Sequence, residues 1–233
     1  MVTSRQPKNP LIRKLFVTLS IFILLCGSIS GCANLTAQSN NESVINVSTE
    51  ANLEGSKTAV FAGGCFWCME KPYDELPGVI STTSGYTGGN LEDPTYRQVS
   101  SGGTGHFEAL KVVYDPDQVN YETLLDVFWK NIDPLDNRGQ FCDKGSQYLS
   151  AIFVEGPEQM ALAEASKKDI AEKLRDFNQP IATEVLPTAT FYDAEEYHQD
   201  YYQKNPIRYN LYRTGCGRDN RLAAVWGDDA PSH

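Results

Sequence analysis

The chain is short of several things that would each define a class. Beyond residue 32 it holds only Cys65, Cys68, Cys142 and Cys216, and of these only the first two are closely spaced. A four-cysteine zinc site needs two paired spacings, and the second pair is missing. A static disulfide framework is not expected either, because a body of this size can build its core without staples. No apolar run reaches the length of about 20 residues that crosses a membrane; Leu15 to Leu25 is short and interrupted by Thr18 and Ser20. Basic residues are few, 20 Lys and Arg against 30 Asp and Glu, for a net charge of −10. Arg5, Lys8, Arg13 and Lys14 fall in the first 31 residues, which hold no acid, so the remainder is more acidic still. Such a body argues against non-specific nucleic-acid binding. No internal repeat is apparent.

What is present falls into four stretches. Residues 1–31 have a basic start, an apolar middle and small residues at the end, the layout of a signal peptide. The end, Ile29-Ser30-Gly31-Cys32, resembles the lipobox of bacterial lipoproteins. That resemblance implies cleavage before Cys32, lipidation of its sulfur, and an extracytoplasmic protein tethered to a bacterial membrane. An uncleaved anchor is the alternative. Residues 32–56 are rich in Asn, Ser, Thr and Ala and read as a flexible tether. Residues 57–226 are the folded body, and 227–233 a tail.

The body is organised around Thr58 to Glu70. Thr58 to Phe61 reads as a strand, Gly63 and Gly64 break it, and Cys65 stands where a helix begins. A helix start favours a thiolate, which makes Cys65 the candidate nucleophile. Further strands are expected over 79–84, 107–114, 148–154 and 181–186, and helices over 121–130 and 157–175. The last helix is expected to hold Ala163, Ile170, Leu174 and Phe177 on one face. Gly85 to Gly89 reads as a glycine-rich loop, and Asp193 with Glu196 as an acidic capping box before a Tyr-rich helix. Several connections are too short for helical crossovers. The fold class is therefore α+β, with a mixed, mainly antiparallel sheet packed with helices.

Chemistry concentrates on few groups. Strand alternation puts Glu108 in one row with Leu110, Val112 and Tyr114. If that row is buried, desolvation favours the protonated carboxyl, a general acid near neutral pH. If Phe107, Ala109 and Val113 are buried instead, Glu108 is solvated, and alternation alone leaves both open. Cys65 and Cys68 have the C-x-x-C spacing of thioredoxin-like redox pairs. Phe66 and Trp67 fit either a core or a substrate cage. Cys216, between Gly215 and Gly217, can carry a second thiol to the first. Cys142, His106 and His198 are undecided on sequence alone.

Together these residues resemble a known family. Gly64-Cys65-Phe66-Trp67, Ser84-Gly85-Tyr86-Thr87-Gly88-Gly89, Pro94-Thr95-Tyr96, Gly103-Thr104-Gly105-His106-Phe107-Glu108, Asp143-Lys144-Gly145-Ser146-Gln147-Tyr148 and Tyr197-His198-Gln199 follow the order found in A-type peptide-methionine sulfoxide reductases. The resemblance implies a two-layer α/β roll that reduces the S epimer of methionine sulfoxide, free or in proteins. Cys65 would attack the sulfoxide sulfur and become a sulfenic acid. Glu108 would protonate the oxygen, with Tyr86 and Tyr148 as hydrogen-bond donors. Phe66 and Trp67 would hold the methyl group, and Asp143 would order the polar side. A second thiol, Cys216 before Cys68, would close a disulfide that an external dithiol such as thioredoxin reduces. No metal or organic cofactor is implied. Two rivals remain: a disulfide oxidoreductase using Cys65 and Cys68, and a lipid-anchored methionine-binding module that tolerates loss of Cys65.

Overall fold

The computed structural model describes residues 54–231. The signal segment, Cys32 and nearly all of the tether lie outside the described residues. Within them, strands and helices alternate: β1 (Lys57–Gly63), α1 (Phe66–Asp74), β2 (Val79–Thr87), α2 (Tyr96–Ser100), β3 (Phe107–Tyr114) and α3 (Tyr121–Lys130). Then come β4 (Gly139–Gln140), β5 (Asp143–Lys144), β6 (Ser150–Val154), α4 (Gly156–Lys173), β7 (Glu184–Pro187) and β8 (Tyr192–Asp193). Three helices close the chain: α5 (Tyr201–Lys204), α6 (Pro206–Gly215) and α7 (Arg218–Trp226).

Six strands form one sheet in the order β7-β6-β1-β3-β2-β8. All neighbours pair antiparallel except β6 and β7. The helices cover one face. Ala59 and Phe61 of β1, Leu110 and Val112 of β3 and Ile152 of β6 meet Met69 and Tyr73 of α1, Leu124 and Phe128 of α3 and Trp226 of α7. Phe61 is fully buried and stacks on Tyr73, Tyr121 and Phe128 at 5.4, 6.2 and 5.2 Å between ring centres. The opposite face holds a smaller apolar group around Ala62, Ala109, Ala151 and Phe153. A mainly antiparallel sheet with helices on one side is the expected fold class.

The expected elements recur with three corrections. Gly85, Tyr86 and Thr87 are the end of β2, not a loop, because they pair with Ala109, Glu108 and Phe107 of β3. Asp193 ends a strand rather than opening a capping box: it pairs with Gly85, and Asp200 in a left-handed conformation precedes α5. Phe177 leaves the buried face it was expected to share with Ala163 and Leu174, because a 3-10 turn follows α4 and turns it outward.

One packing contact is electrostatically costly. Glu70 of α1 is buried and accepts a hydrogen bond from the Asp200 N–H at the start of α5 (3.0 Å). Burial, with the nearby charges of Asp74 and Asp200, pushes its carboxyl up to about 7. A raised carboxyl pKa means the native state holds the proton more tightly than the unfolded chain. Stability therefore falls as pH rises from the ordinary carboxylate value to about 7. Thermal denaturation at pH 5 and pH 8 should show a smaller pH-dependent loss in Glu70→Gln than in the parent. In the core, Phe61→Ala should cost about 3–5 kcal/mol in urea unfolding.

Candidate active site

The turn between β1 and α1 builds the site. Gly64 has φ +78°, and a Cβ there would lie 2.5 Å from Gln140 Cβ; at Gly63 it would lie 2.5 Å from Met69 Sδ. Only glycine fits both the conformation and the close approach. Cys65 then occupies the N-cap position of α1, and its carbonyl accepts from the Cys68 N–H (3.0 Å). The next amide, Phe66 N–H, is one of the donors a helix start leaves unpaired. It donates to Glu108 Oε2 across 3.2 Å.

Glu108 sits in the buried row of β3 with Leu110, Val112 and Tyr114. Alternation alone left that face open; helix packing decides it. Burial pushes the Glu108 carboxyl up to about 8, and the charge of Asp143 adds to this. The Phe66 N–H and the Tyr148 hydroxyl pull partly the other way.

The two thiols are both buried and hydrogen-bonded to each other. Burial and that hydrogen bond push Cys65 up, while the bond, Arg218 and Arg213 bring Cys68 down to about 6. The helix start was expected to make Cys65 the thiolate. Burial and the neighbouring Cys68 instead push Cys65 up, with smaller contributions from Glu108 and Asp143, against the pull of the helix end.

Aromatic rings surround this pair. Phe66 is buried, and Trp67 stacks on Tyr201 at 3.7 Å between ring centres, with Tyr212 at 5.8 Å. Trp67 Nε1–H donates to His198 Nδ1 (3.0 Å), which fixes the indole plane. His198 also lies 4.3 Å from Tyr96 and 5.1 Å from Phe66 between ring centres. His106, in contrast, holds a loop: its ring meets Gly89 N–H and the Leu91 carbonyl.

Tyr86 does not occupy its expected place. It is fully buried, and its hydroxyl donates to Glu195 Oε2 (2.9 Å). Tyr96, whose N–H donates to the other oxygen of Glu195, packs its ring against His198 and Phe66 instead. Its hydroxyl is pushed up to about 12 by burial and by the charges of Glu108 and Cys65. Tyr148 is raised by burial and Glu108 in the same way. Tyr96 lies in the Pro94-Thr95-Tyr96 motif, to which the resemblance assigned no role; Glu195, Tyr201, Tyr212 and Arg218 are each brought in from far along the chain, so local spacing does not point to them.

The C-terminal helices close the site. Asp143 accepts a hydrogen bond from the Tyr212 hydroxyl. Arg218 is buried, donates to the carbonyls of Gly63 (3.3 Å) and Asn131 (2.7 Å), and lies over the Phe141 ring. Next to them, Cys142 and Cys216 form a disulfide. This corrects the expectation of no fixed bridge. Two cysteines 74 residues apart meet because α6 runs back over the loop that carries Cys142. The sequence favours Cys216 as the second thiol because its flanking glycines allow an approach to Cys65; in the structure Cys216 is bonded to Cys142, and Cys68 is the thiol beside Cys65.

Comparison with known proteins agrees with this geometry. The family described as Peptide methionine sulfoxide reductase matches residues 57–230. The protein named Peptide methionine sulfoxide reductase MsrA of Bacillus licheniformis is 52% identical over 174 residues, 75% of this chain and 96% of that one. Methionine sulfoxide reductase A of Corynebacterium diphtheriae superposes with a TM-score of 0.63 at 38% identity, covering 66% of this chain and 76% of that one. Reduced Mxr1 from Saccharomyces cerevisiae gives 0.62 at 32% identity, covering 66% and 88%. With a buried thiol pair, a raised carboxyl and an aromatic wall in the matched region, the chain belongs to the peptide methionine sulfoxide reductase family.

Proposed function

We propose that this chain reduces the S epimer of methionine sulfoxide, free or in proteins, to methionine, with Cys65 as nucleophile and Glu108 as acid. The observation that carries the reading is Glu108, raised to about 8 and bonded to the amide that follows Cys65. A sulfoxide oxygen is a poor leaving group. A carboxyl still protonated at neutral pH can donate to it as sulfur is attacked. Tyr96 and Tyr148 are the hydroxyl donors to that oxygen, and Phe66 and Trp67 hold the methyl group. Asp143 fixes Tyr212 against Trp67.

The protons balance. Cys65 passes its proton to the Cys68 thiolate as it attacks, and Glu108 gives its own to the oxygen. Methionine leaves and Cys65 holds the oxygen as a sulfenic acid. Cys68 then attacks that sulfur, its proton leaves with the hydroxyl as water, and a Cys65–Cys68 disulfide remains. Exchange with the Cys142 and Cys216 thiols restores the first pair and forms the second disulfide, which an external dithiol such as thioredoxin reduces. This order reverses the one favoured by sequence, since Cys68 needs no chain movement to reach Cys65.

The lipobox-like Ile29-Ser30-Gly31-Cys32 supports a lipid-anchored, extracytoplasmic enzyme that repairs oxidised envelope proteins. Cys32→Ala should move the protein from the membrane to the soluble fraction; a parent protein found only in the cytosol would sink this part.

Single-turnover assays test the chemistry. Starting with all four thiols reduced and no added reductant, the parent should release about two methionines per chain from the S epimer, one for each disulfide formed. Cys216→Ser should release about one, and Cys65→Ser none. Methionine release by Cys65→Ser would overturn the reading. Because Glu108 must be protonated, turnover should fall as pH rises through about 8. Glu108→Gln should lower kcat by roughly 10²–10⁴ and remove that alkaline fall.

A further inference from the structure

His198 stands inside the aromatic wall. It ends the 3-10 turn Glu196–His198 and is 1% exposed. Four rings pack on it: Tyr197 at 4.2 Å, Tyr96 at 4.3 Å, Phe66 at 5.1 Å and Trp67 at 5.7 Å between ring centres. Phe66 and Trp67 are the two residues proposed to hold the methyl group. Burying two ring nitrogens among them costs free energy that a phenyl ring would avoid, unless the nitrogens are used.

Their bonding fixes the tautomer. An indole N–H only donates, so His198 Nδ1, 3.0 Å from Trp67 Nε1, is the nitrogen without a proton. The proton of the neutral ring is then on Nε2. Nε2 is buried and makes no hydrogen bond, with Glu195 Oε2 4.0 Å away. Glu195 is itself held, accepting from the Tyr86 hydroxyl (2.9 Å) and the Tyr96 N–H (2.9 Å). The carboxylate thus faces the nitrogen that carries the proton. Trp67 has a second restraint, its stack on Tyr201 at 3.7 Å. Stacking limits the tilt of the indole but lets it slide; the bond to Nδ1 decides which edge it turns to the pocket.

We infer that His198 is the positioning residue of Trp67: its neutral ring, protonated on Nε2, holds the indole as one wall of the pocket for the sulfoxide's methyl group, and a second proton, on Nδ1, releases it. That proton turns the acceptor into a donor facing the indole N–H, and the bond is lost. The inference rests on the proposed function, since the pocket is the one assigned there to methionine sulfoxide. Burial sets the protonation of His198 below the ordinary value of 6.5, against the pull of Glu195. The hydroxyls of Tyr96 and Tyr197, which face the same ring, are raised and stay neutral in that range. Substrate affinity should therefore weaken on the acid side of 6.5.

The test separates the nitrogen from the ring. In the full chain, His198→Asn keeps an acceptor near the Nδ1 position without a titrating group, and His198→Phe keeps a ring without an acceptor. Indole N–H signals are followed by nitrogen-15 NMR from about pH 8 to about pH 5, with Trp67 assigned through Trp67→Phe. The Trp67 signal should move in one step with its midpoint below 6.5. Trp129 and Trp226, bonded to Ser166 Oγ and the Ile132 carbonyl, should not. The step should be absent in His198→Asn. In turnover, His198→Phe should raise KM for a sulfoxide peptide about fivefold to tenfold with kcat within about twofold, and His198→Asn should bring KM back to within about twofold of the parent. The acid rise in the parent's KM should vanish in His198→Asn. A step that persists in His198→Asn would give the proton to another group, Cys68 foremost, and overturn the proposal. Equal losses in the two variants, or a larger one in His198→Asn, would also overturn it, because the ring and not the acceptor would then matter. The indole signal needs no sulfoxide, so a missing step in the parent sinks the positioning role whatever the chain reduces. A step in a chain that reduces no sulfoxide would support the hold on Trp67 and remove the reaction proposed above.

Discussion

The hydrogen bond from the Phe66 amide to Glu108 joins the two halves of the site. It spans 42 residues and links the first turn of α1 to the second residue of β3. For it to form, β3 must hold Glu108 in its buried row, β1 must end at two glycines, and α1 must start at once. Each condition is met by a separate feature: the β1–β3 register, the left-handed Gly64, and Cys65 in the N-cap position. A one-residue slip in β3 would turn Glu108 to the other face of the sheet and leave the amide unpaired. The proposed acid and nucleophile are thus positioned by one contact.

Burial governs the charges around that contact. Glu108 and Cys65 are both driven towards their neutral forms by desolvation, the acid usefully and the thiol against its task. In the proposed mechanism Cys68 resolves the conflict by accepting the Cys65 proton, and the buried guanidinium of Arg218 favours the thiolate that does so. Arg218 has backbone carbonyls rather than a carboxylate within hydrogen-bonding distance, so its charge remains available to the thiol pair. The pair, not either sulfur alone, is the unit that titrates.

A dry thiol pair suits sulfoxide chemistry but not contact with another protein. In the proposed relay the second pair, Cys142 and Cys216, separates the two tasks: one disulfide forms inside the aromatic wall and the other at its edge. Tyr212 connects them physically, standing beside Trp67 and bonded to Asp143, the neighbour of Cys142.

By itself the sequence determined the local pieces. The glycine turn before Cys65, the β-branched strands and the acidic charge balance all follow from residues close together in the chain, where spacing reports geometry directly. Motif order carried the family and named Cys65, Glu108, Phe66 and Trp67. Tertiary structure decided what depends on distant pairing. Alternation marks two faces of β3 but cannot say which one helices cover, so the protonation of Glu108 waited on packing. Tyr86 and Tyr96 both lie in quoted motifs, and only the pairing of β2 with β3 and the position of Glu195 show which hydroxyl is committed elsewhere. Cys142 and Cys216 carry no shared spacing, because a bridge across 74 residues is set by where α6 returns, not by local chain geometry. Desolvation has the same character: it is a property of everything packed around a group, and no short stretch of sequence contains it.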